Sequence, residues 1–274
     1  MKIVLIGYGI IGSAWSKHYA SDGHDLRIWN RTPKDTPYFV QDLNTAVSGA
    51  EVVHIVIADP PAIDSVLPTV IANLAPGALV IQSSTISPDA SDKFLAQIIK
   101  VGGSYVEAPF TGSKIAAEQR ENVFFIGGSE PDKVRAKKVL SALSKKTFDM
   151  GTNRQACTIK LAMNLQIALI SQALNEGLEF SRSAGINDEL FFQILNENVA
   201  HSGLSDLKKP KLLTNDFSPQ FSVKHLHKDL RLALATAPAK LLPITAKVAD
   251  IYSEGLRQNW GDEDFTSLIK LLQG

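Results

Sequence analysis

Three glycines near the amino terminus have the spacing of a phosphate-binding turn. Gly7, Gly9 and Gly12 follow a short apolar run, Ile3–Ile6, and open a helix-length segment. In this setting the first glycine permits a tight turn, the second lets the backbone approach a pyrophosphate, and the third lets the helix pack close to the strand. Free N–H groups at the start of the helix then point at the phosphates. The segment predicts a dinucleotide site formed by Gly7, Tyr8, Gly9, Ile10, Ile11 and Gly12.

The residues after the second predicted strand indicate which dinucleotide binds. That strand covers Leu26–Trp29 and is followed directly by Asn30, Arg31 and Thr32. NAD enzymes usually carry a carboxylate here, which accepts hydrogen bonds from the ribose 2′-hydroxyl and would repel a 2′-phosphate. Arg31 can instead pair with that phosphate bidentately, and Asn30 and Thr32 can donate to it. The loop favours NADP, and the competing interpretation is an ordinary solvated arginine.

Lys160 and Asn164 are the polar residues best placed for acid–base chemistry. They lie four residues apart in an otherwise apolar helical stretch, so they share one helix face. Two polar groups on such a face at a domain junction indicate a lined cleft. An ammonium there can stabilise the alkoxide that forms when a carbonyl accepts hydride, and can donate the proton that neutralises it. The alternative is a surface lysine whose stem lies along the helix.

A second candidate binding segment follows the predicted strand Ser104–Ala108. Thr111 and Gly112 come just after Pro109, in a predicted loop. A hydroxyl group and exposed backbone N–H groups in a turn can bind a substrate carboxylate. Glycine and threonine are also common turn residues, so a purely structural turn is the competing interpretation.

The elements that must hold these residues fall into two regions. Up to Met150 the chain alternates short β-rich runs with helix-length segments, which predicts an α/β fold with a doubly wound, mostly parallel Rossmann sheet. The segment from Arg154 to Ala184 is predicted to form one long interdomain helix, and no strand-like alternation returns after it. We therefore expect an NADP-binding domain at residues 1–153 and an all-α domain for substrate binding and oligomerisation at residues 154–274.

The predicted elements have the following bounds. Strands are expected at Ile3–Ile6, Leu26–Trp29, Val52–Ile57, Ala78–Gln82, Ser104–Ala108, Val123–Ile126 and Lys146–Met150. The long helix is expected to bury an apolar stripe of Ile159, Met163, Ile167, Ile170 and Leu174. Later helices are expected at Asp188–Asn198, Lys224–Thr236, Ile244–Leu256 and Glu263–Leu272.

Composition and charge exclude several classes of protein. The 274 residues include 28 basic and 28 acidic side chains, and this balance argues against nucleic-acid binding. The single cysteine, Cys157, excludes an intramolecular disulfide framework, and the scattered histidines predict no metal site. No apolar run approaches the roughly 20 residues of a membrane span, and the amino terminus lacks the pattern of a signal peptide. We expect a soluble, cytoplasmic protein that contacts neither nucleic acid nor membrane.

Together these motifs resemble one enzyme family, the β-hydroxyacid dehydrogenases, which include 3-hydroxyisobutyrate dehydrogenase. The resemblance rests on the glycine turn Gly7–Gly12 and on Asn30–Thr32, Glu107–Lys114, Lys160–Asn164 and Phe221–Asp229, which occur in the family's order. The Gly-Ser-Lys ending of the third segment is most similar to the glyoxylate/succinic semialdehyde reductase branch. The resemblance therefore implies a nicotinamide-dependent oxidoreductase.

The resemblance also implies individual residue roles. Lys160 matches the family's catalytic lysine, and Thr85 matches a residue near the nicotinamide ribose. Phe221 is implied to lie near the substrate, and Lys228 to reach the cofactor with Asp229 beside it. Without the resemblance, the charges around Lys228 would indicate a solvated helix face.

One segment departs from the family pattern just before the lysine. Relatives usually carry a Gly-Asn-Gly run where this chain has Arg154, Gln155 and Ala156. Replacing helical glycines favours helix formation by roughly 1 kcal/mol for each glycine. The departure leaves the ionisable groups of the predicted site in place.

The sequence thus predicts an NADPH-dependent reductase that converts a small aldehyde acid, of the glyoxylate or succinic semialdehyde type, into the hydroxy acid. The long helix and apolar second domain suggest a homo-oligomer, a dimer or a tetramer. Three alternatives remain: an NAD-dependent 3-hydroxyisobutyrate-type dehydrogenase, an imine reductase, and a dinucleotide-binding protein without turnover. Lys160 and the Thr111–Gly112 segment argue against the imine reductase.

Overall fold

The computed structural model describes residues 1–238 and 240–273, which form two compact units that divide between Lys160 and Leu161. The first unit is a sheet with helices on both faces. Its strands are β1 Lys2–Ile6, β2 Asp25–Trp29, β3 Val52–Ile55, β4 Leu79–Gln82, β5 Ser104–Glu107, β6 Phe110–Thr111, β7 Asn122–Gly128 and β8 Ser144–Gly151. Its helices are α1 Ile10–Ser21, α2 Leu43–Val47, α3 Pro60–Asn73, α4 Pro88–Lys100, α5 Lys114–Glu118 and α6 Glu130–Leu140.

The sheet order explains where a ligand can bind. Strands β2, β1, β3, β4 and β5 are adjacent and parallel in that order, so the chain leaves β1 towards β2 and later returns to β1's other side as β3. Such a reversal point opens a crevice at the carboxyl end of the strands. β7 is antiparallel to β5 and β6 and parallel to β8. The glycine turn directly follows β1 and therefore lies at the reversal point.

The alternation of side chains along the buried strands builds a core on each face of the sheet. In β1, Ile3 and Leu5 join a cluster that contains Trp15 and Tyr19 of α1. The alternate residues of β1 join the opposite cluster, with α3 and α4. Strands buried on both faces appear in sequence as continuous apolar runs, and this is why the first four strands could be predicted.

The second unit is helical. Helix α7, Asn153–Ser183, begins in the first unit and continues into the second, and it is followed by α8 Asp188–Asn196, α9 Gly203–Thr214, α10 Val223–Thr236, α11 Pro243–Arg257 and a 3₁₀ helix, Phe265–Leu272. Val223, Leu226, Leu230 and Tyr252 centre its main core. The prediction of a Rossmann sheet followed by a long helix and an all-α unit is confirmed.

Several details differ from the sequence prediction. The structure adds two short helices, α2 and α5, the two-residue strand β6, and helix α9. The predicted last helix is a 3₁₀ helix that starts at Phe265 rather than Glu263. α9 contains Pro210, and three of its buried side chains are Ser205, Lys208 and Lys211, so its inward face looks solvent-exposed in a hydropathy pattern.

The predicted apolar stripe of α7 is wrong. Met163 is 38% exposed, and among the five stripe residues only Leu174 is buried. The buried face is instead partly polar and includes Leu161, Asn164, Ala168, Ser171, Gln172, Asn175 and Leu178. α7 is also the one described helix long and apolar enough to cross a membrane, with a mean hydropathy of 1.3 over its best 18 residues. Polar side chains buried along it favour a core helix of a globular unit.

Candidate active site

The glycine turn has the backbone geometry that a pyrophosphate requires. Gly7 has a φ of 110°, and a Cβ on it would lie 2.2 Å from the carbonyl oxygen of Val56. A Cβ on Gly12 would lie 2.0 Å from the carbonyl oxygen of Gly7, so α1 packs against the turn only because the side chain is missing. At Gly9, by contrast, no described atom lies within 4 Å of the Cβ position. Strand and helix therefore enclose two glycines, and the third leaves the backbone accessible.

The start of α1 completes this cradle. Gly9 is the N-cap residue, and it supplies no side-chain hydrogen bond to the first turn. The N–H groups of the first helical turn and the helix dipole thus remain available to an anion. These features fit the pyrophosphate of a nicotinamide dinucleotide, and the residues that would hold it are the predicted Gly7, Tyr8, Gly9, Ile10, Ile11 and Gly12.

The loop after β2 is braced against the glycine turn. The backbone N–H of Tyr8 donates to Asn30 Oδ1 over 3.0 Å, and Asn30 Nδ2 donates to the Thr32 carbonyl over 2.8 Å. The predicted phosphate donor Asn30 therefore has a positioning role in the structure, with one amide hydrogen remaining. Arg31 and Thr32 are exposed, and no hydrogen bond or ion pair of Arg31 occurs among the described residues.

The predicted catalytic lysine lies close to an aromatic ring of residues 108–112, the candidate substrate-binding residues that we call the substrate segment. Lys160 is half-buried near the start of α7, and its Nζ lies 5.9 Å from the ring centroid of Phe110 in β6. This distance is within the range of a cation–π interaction. Phe110 directly precedes Thr111 and Gly112, so the first unit places the ammonium near that segment.

Thr111 ends β6, and Gly112 follows it in the short connection to α5. Thr111 pairs with Val123 of β7 and thus lies in a short strand rather than in the predicted loop. Gly112 has a φ of 138°, and a Cβ there would lie 2.4 Å from Asn122 Nδ2. Asn122 is fully buried and accepts a hydrogen bond from Trp15 Nε1 over 2.8 Å, so it cannot move away easily. A residue other than glycine would displace this turn.

Thr85 follows the carboxyl end of β4, so it lies at the same edge of the parallel sheet as the glycine turn, which follows the carboxyl end of β1. The preceding residue, Ser84, accepts a hydrogen bond from the Ile57 N–H at 2.9 Å, which ties the loop to the end of β3. Ser87 caps α4 by accepting from the Ala90 N–H. Thr85 is therefore not the cap residue, and it stands where loops of parallel sheets meet ligands.

In the second unit, the buried carboxylate of Asp229 binds two other predicted residues, Asn164 and Lys228. Asp229 of α10 is 3% exposed; its Oδ2 accepts from Asn164 Nδ2 over 2.5 Å, and its Oδ1 pairs with Lys228 Nζ over 2.9 Å. Asp229 thus fixes the orientation of the Asn164 amide.

A second buried carboxylate in that unit holds Phe221. Asp264 accepts hydrogen bonds from the backbone N–H groups of Gln220 and Phe221 and forms an ion pair with Lys208 at 2.9 Å. The Asp264 and Lys208 side chains are 0% and 1% exposed. Sequence analysis did not identify this pair, since an aspartate near the carboxyl end and a lysine on an unpredicted helix carried no signal.

A buried acid at the end of β5 was also missed as a titratable group. Glu107 is fully buried and accepts hydrogen bonds from the Tyr105 hydroxyl and, over 3.1 Å, from Gln82 Nε2. Burial raises the pKa of Glu107 to about 7. Burial also raises the pKa of the nearby Cys157 thiol, which therefore stays protonated and is a poor nucleophile.

The residues that replace the family's Gly-Asn-Gly run, Arg154, Gln155 and Ala156, lie in the first turn of α7. Arg154 pairs with Asp89 and Asp92 of α4 over 2.8 and 2.5 Å, and Ala156 is fully buried. The Gln155 side chain accepts the Thr152 N–H over 3.0 Å. The three residues thus attach the start of α7 to the first unit, a role that glycines could not fill with side chains.

His225 and His227 each form a hydrogen bond with a serine and do not share a ligand. His225 bonds with Ser222 over 2.8 Å, and His227 with Ser253 over 3.0 Å. Within residues 1–238 and 240–273 no group of three His, Cys, Asp or Glu side chains is arranged to hold a metal ion.

Comparison with known proteins assigns both units to one family. Residues 2–151 match the NAD-binding domain of 6-phosphogluconate dehydrogenase, and residues 155–272 match the NAD-binding domain of NADP-dependent 3-hydroxyisobutyrate dehydrogenase. The first match alone covers more than half of the chain.

Individual relatives align over the full length. Glyoxylate/succinic semialdehyde reductase 1 of Arabidopsis thaliana is 27% identical, with 100% of this chain and 99% of the relative covered. The 2-hydroxy-3-oxopropionate reductase of Escherichia coli is also 27% identical, with 100% and 97% covered. The structure of 3-hydroxyisobutyrate dehydrogenase from Mycobacterium tuberculosis with L-serine is 25% identical, covers 100% of both chains and superposes with a TM-score of 0.89. The chain therefore belongs to the 3-hydroxyisobutyrate dehydrogenase-like family of nicotinamide dinucleotide-dependent hydroxyacid oxidoreductases.

Proposed function

We propose that the protein is an NADPH-dependent reductase that converts a small aldehyde acid, of the glyoxylate or succinic semialdehyde type, into the corresponding hydroxy acid. The observation that carries the proposal is the Lys160 ammonium over Phe110, next to Thr111 and Gly112, in the unit that also contains the glycine turn. The activities for which the Arabidopsis and E. coli relatives are named support the substrate class.

Each side chain has a defined task in this reaction. Lys160 Nζ donates a proton to the substrate oxygen as negative charge develops there. The Thr111 hydroxyl, the Gly112 N–H and the Asn164 amide bind the substrate carboxylate. Phe221 and Asp229 border the same substrate, and Asp229 keeps the Asn164 amide in one orientation. A bound nicotinamide supplies the hydride.

The cofactor contacts follow from the two loops and two further residues. The turn Gly7–Gly12 holds the pyrophosphate, and Arg31 pairs with the 2′-phosphate of NADP with help from Asn30 and Thr32. Arg31 supports this choice because it is exposed and lies next to the glycine turn that Asn30 braces. Thr85 and Lys228 contact the nicotinamide end.

The wider organisation is part of the same proposal. We place the NADP-binding domain at residues 1–153 and the substrate and oligomerisation domain at residues 154–274. The protein is expected to be cytoplasmic and to form a homodimer or homotetramer. Size-exclusion chromatography with light scattering tests the assembly, and a mass equal to one chain would contradict it.

The decisive experiment for the activity is NADPH oxidation, followed at 340 nm, with a panel of short semialdehydes and oxo acids. The proposal predicts turnover with at least one small aldehyde acid and a clear preference for NADPH over NADH. If every compound in the panel is inert, the proposed substrate class is wrong.

The strongest alternative is an NAD-dependent 3-hydroxyisobutyrate-type dehydrogenase. The similarity to the mycobacterial enzyme favours it. It predicts reduction of NAD⁺ by 3-hydroxyisobutyrate and a preference for NADH in the reverse reaction. Tight NADPH binding without turnover of any compound would instead indicate a binding protein.

A further inference from the structure

A fully buried histidine in β3 links helix α1 to the substrate segment through hydrogen bonds. His54 Nδ1 lies 2.8 Å from the Tyr19 hydroxyl, His54 Nε2 lies 2.8 Å from Ser83 Oγ, and Ser83 Oγ donates to the Ala108 carbonyl over 2.7 Å. A serine hydroxyl has one hydrogen, which Ser83 gives to Ala108. Ser83 must therefore accept from His54, so Nε2 carries the hydrogen and Nδ1 accepts from Tyr19. Burial lowers the pKa of His54 to about 3, in agreement with a neutral ring.

The same ring also supports the surface beneath the catalytic ammonium. The indole of Trp15 stacks on His54, with ring centroids 5.0 Å apart and planes inclined by 19°. The Phe110 and Trp15 rings are steeply inclined to each other, at 67°, with centroids 4.8 Å apart, and Lys160 Nζ lies 5.9 Å from the Phe110 centroid. A column of three rings thus runs from the buried histidine to the ammonium.

Hydrogen bonds hold the start of the substrate segment at two successive residues, Ala108 and Pro109. The Ala108 N–H donates to the Gln82 carbonyl over 2.8 Å, while its own carbonyl accepts from Ser83. The carbonyl of Pro109 accepts from the Phe125 N–H over 2.8 Å. Of these contacts, the one from Ser83 is made by a side chain, and the Ser83 hydroxyl is itself held in place by the hydrogen bond with His54 Nε2.

We propose that His54 and Ser83 are positioning residues that hold residues 108–112 and the Phe110 ring in register with Lys160. The proposal rests on the proposed function, because that function assigns substrate binding to Thr111 and Gly112. Small displacements of positioning groups can lower rates by about 100-fold, since the reacting atoms must be aligned. Tyr19 completes the arrangement by donating a hydrogen bond to His54 Nδ1.

The test is Ser83→Ala in the full-length protein, with Ser16→Ala as the matched control. Ser16 is also buried, but its hydroxyl donates to the Ser13 carbonyl within α1. Hydrogen exchange by mass spectrometry should show faster exchange of amides in residues 108–112 in Ser83→Ala only. For that variant kcat/KM for the aldehyde acid should fall at least about tenfold, because the reacting atoms lose their alignment, with the NADPH Kd within about twofold of wild type.

Other outcomes overturn the proposal. A Ser83→Ala protein with a lower Tm but with unchanged local exchange and kcat/KM would show that the contact serves only folding. A wild-type protein inactive on every substrate would refute the proposed function, and the exchange measurement would still decide on positioning. A third readout needs no variant: ¹⁵N-histidine NMR should show His54 as the Nε2–H tautomer from pH 5 to 9. Titration of His54 within that range, or an Nδ1–H signal, would contradict the proposed hydrogen bonds from Tyr19 through His54 to Ser83.

Discussion

Glu107 offers a quantitative test of the energetics around the site. Its carboxyl ends β5 next to the substrate segment, fully buried, and burial raises its pKa from 4.5 to about 7 despite donors from Tyr105 and Gln82. Between these two pH values the folded protein keeps a proton that the unfolded chain releases. The free energy of unfolding therefore includes a contribution that is fully present below pH 4.5 and is lost as the pH rises through 7.

The size of this contribution follows from the shift. One pKa unit corresponds to about 1.4 kcal/mol, so 2.5 units give roughly 3 kcal/mol between pH 4.5 and pH 7.5. Glu107→Gln cannot ionise and should remove this pH dependence. The difference in free energy of unfolding, variant minus wild type, should therefore increase by about 3 kcal/mol from pH 4.5 to pH 7.5, because only the wild type loses stability over that range.

Urea unfolding at a series of pH values from 4.5 to 8.5 measures this difference. His54 contributes a pH dependence of the opposite sign: its lowered pKa means that the unfolded state binds more protons below pH 6.5, so stability rises with pH there. Wild type and variant share this contribution, and it cancels in their difference. The surface variant Glu121→Gln serves as the control, since its side chain is exposed. Parallel pH profiles for wild type and Glu107→Gln would refute the assignment of a buried, protonated acid.

Three further predictions concern the cofactor turn, the cofactor choice and the helical unit. Gly12→Ala places a Cβ 2.0 Å from the Gly7 carbonyl oxygen and should weaken NADPH binding at least tenfold, by about 1.4 kcal/mol or more, in a fluorescence titration; unchanged affinity contradicts the turn's role. Arg31→Ala should raise the NADPH Kd about tenfold or more and leave the NADH Kd nearly constant, because charge-assisted hydrogen bonds contribute about 1.5–3 kcal/mol; equal effects on both cofactors count against a 2′-phosphate site. Asp264→Asn leaves the buried Lys208 ammonium without its carboxylate and should lower the free energy of unfolding by about 3–5 kcal/mol, measured in urea; a loss below about 1 kcal/mol contradicts the buried pair.

The sequence was most informative where a residue type has one structural use. The spacing of Gly7, Gly9 and Gly12 predicts a turn that the structure also requires, since two Cβ positions there are blocked by backbone. The strand β6 could not be predicted, because two residues carry no periodicity and their conformation comes from pairing with β7. The helical period of α7 was correct, but its buried face contains Asn164 and Asn175, which a hydropathy pattern assigns to solvent.

The supporting contacts of the candidate site were beyond sequence reasoning for a related reason. His54 carries no motif in the sequence, and the structure shows both of its ring nitrogens hydrogen-bonded. Its partners, Tyr19 and Ser83, are 35 and 29 residues away, so no local spacing could identify them. The same holds for Asp264, which bonds to Lys208 across 56 residues.

The central claim, that the Lys160 ammonium protonates the substrate oxygen, is tested most directly by Lys160→Ala. Lys146→Ala is the matched control, because Lys146 Nζ also lies over an aromatic ring of the first unit, 4.5 Å from the centroid of Phe148. The account predicts that kcat for reduction of the aldehyde acid falls about 10²- to 10⁴-fold in Lys160→Ala, with the NADPH Kd within about twofold of wild type, and that Lys146→Ala retains full activity. Wild-type turnover in Lys160→Ala would contradict the account.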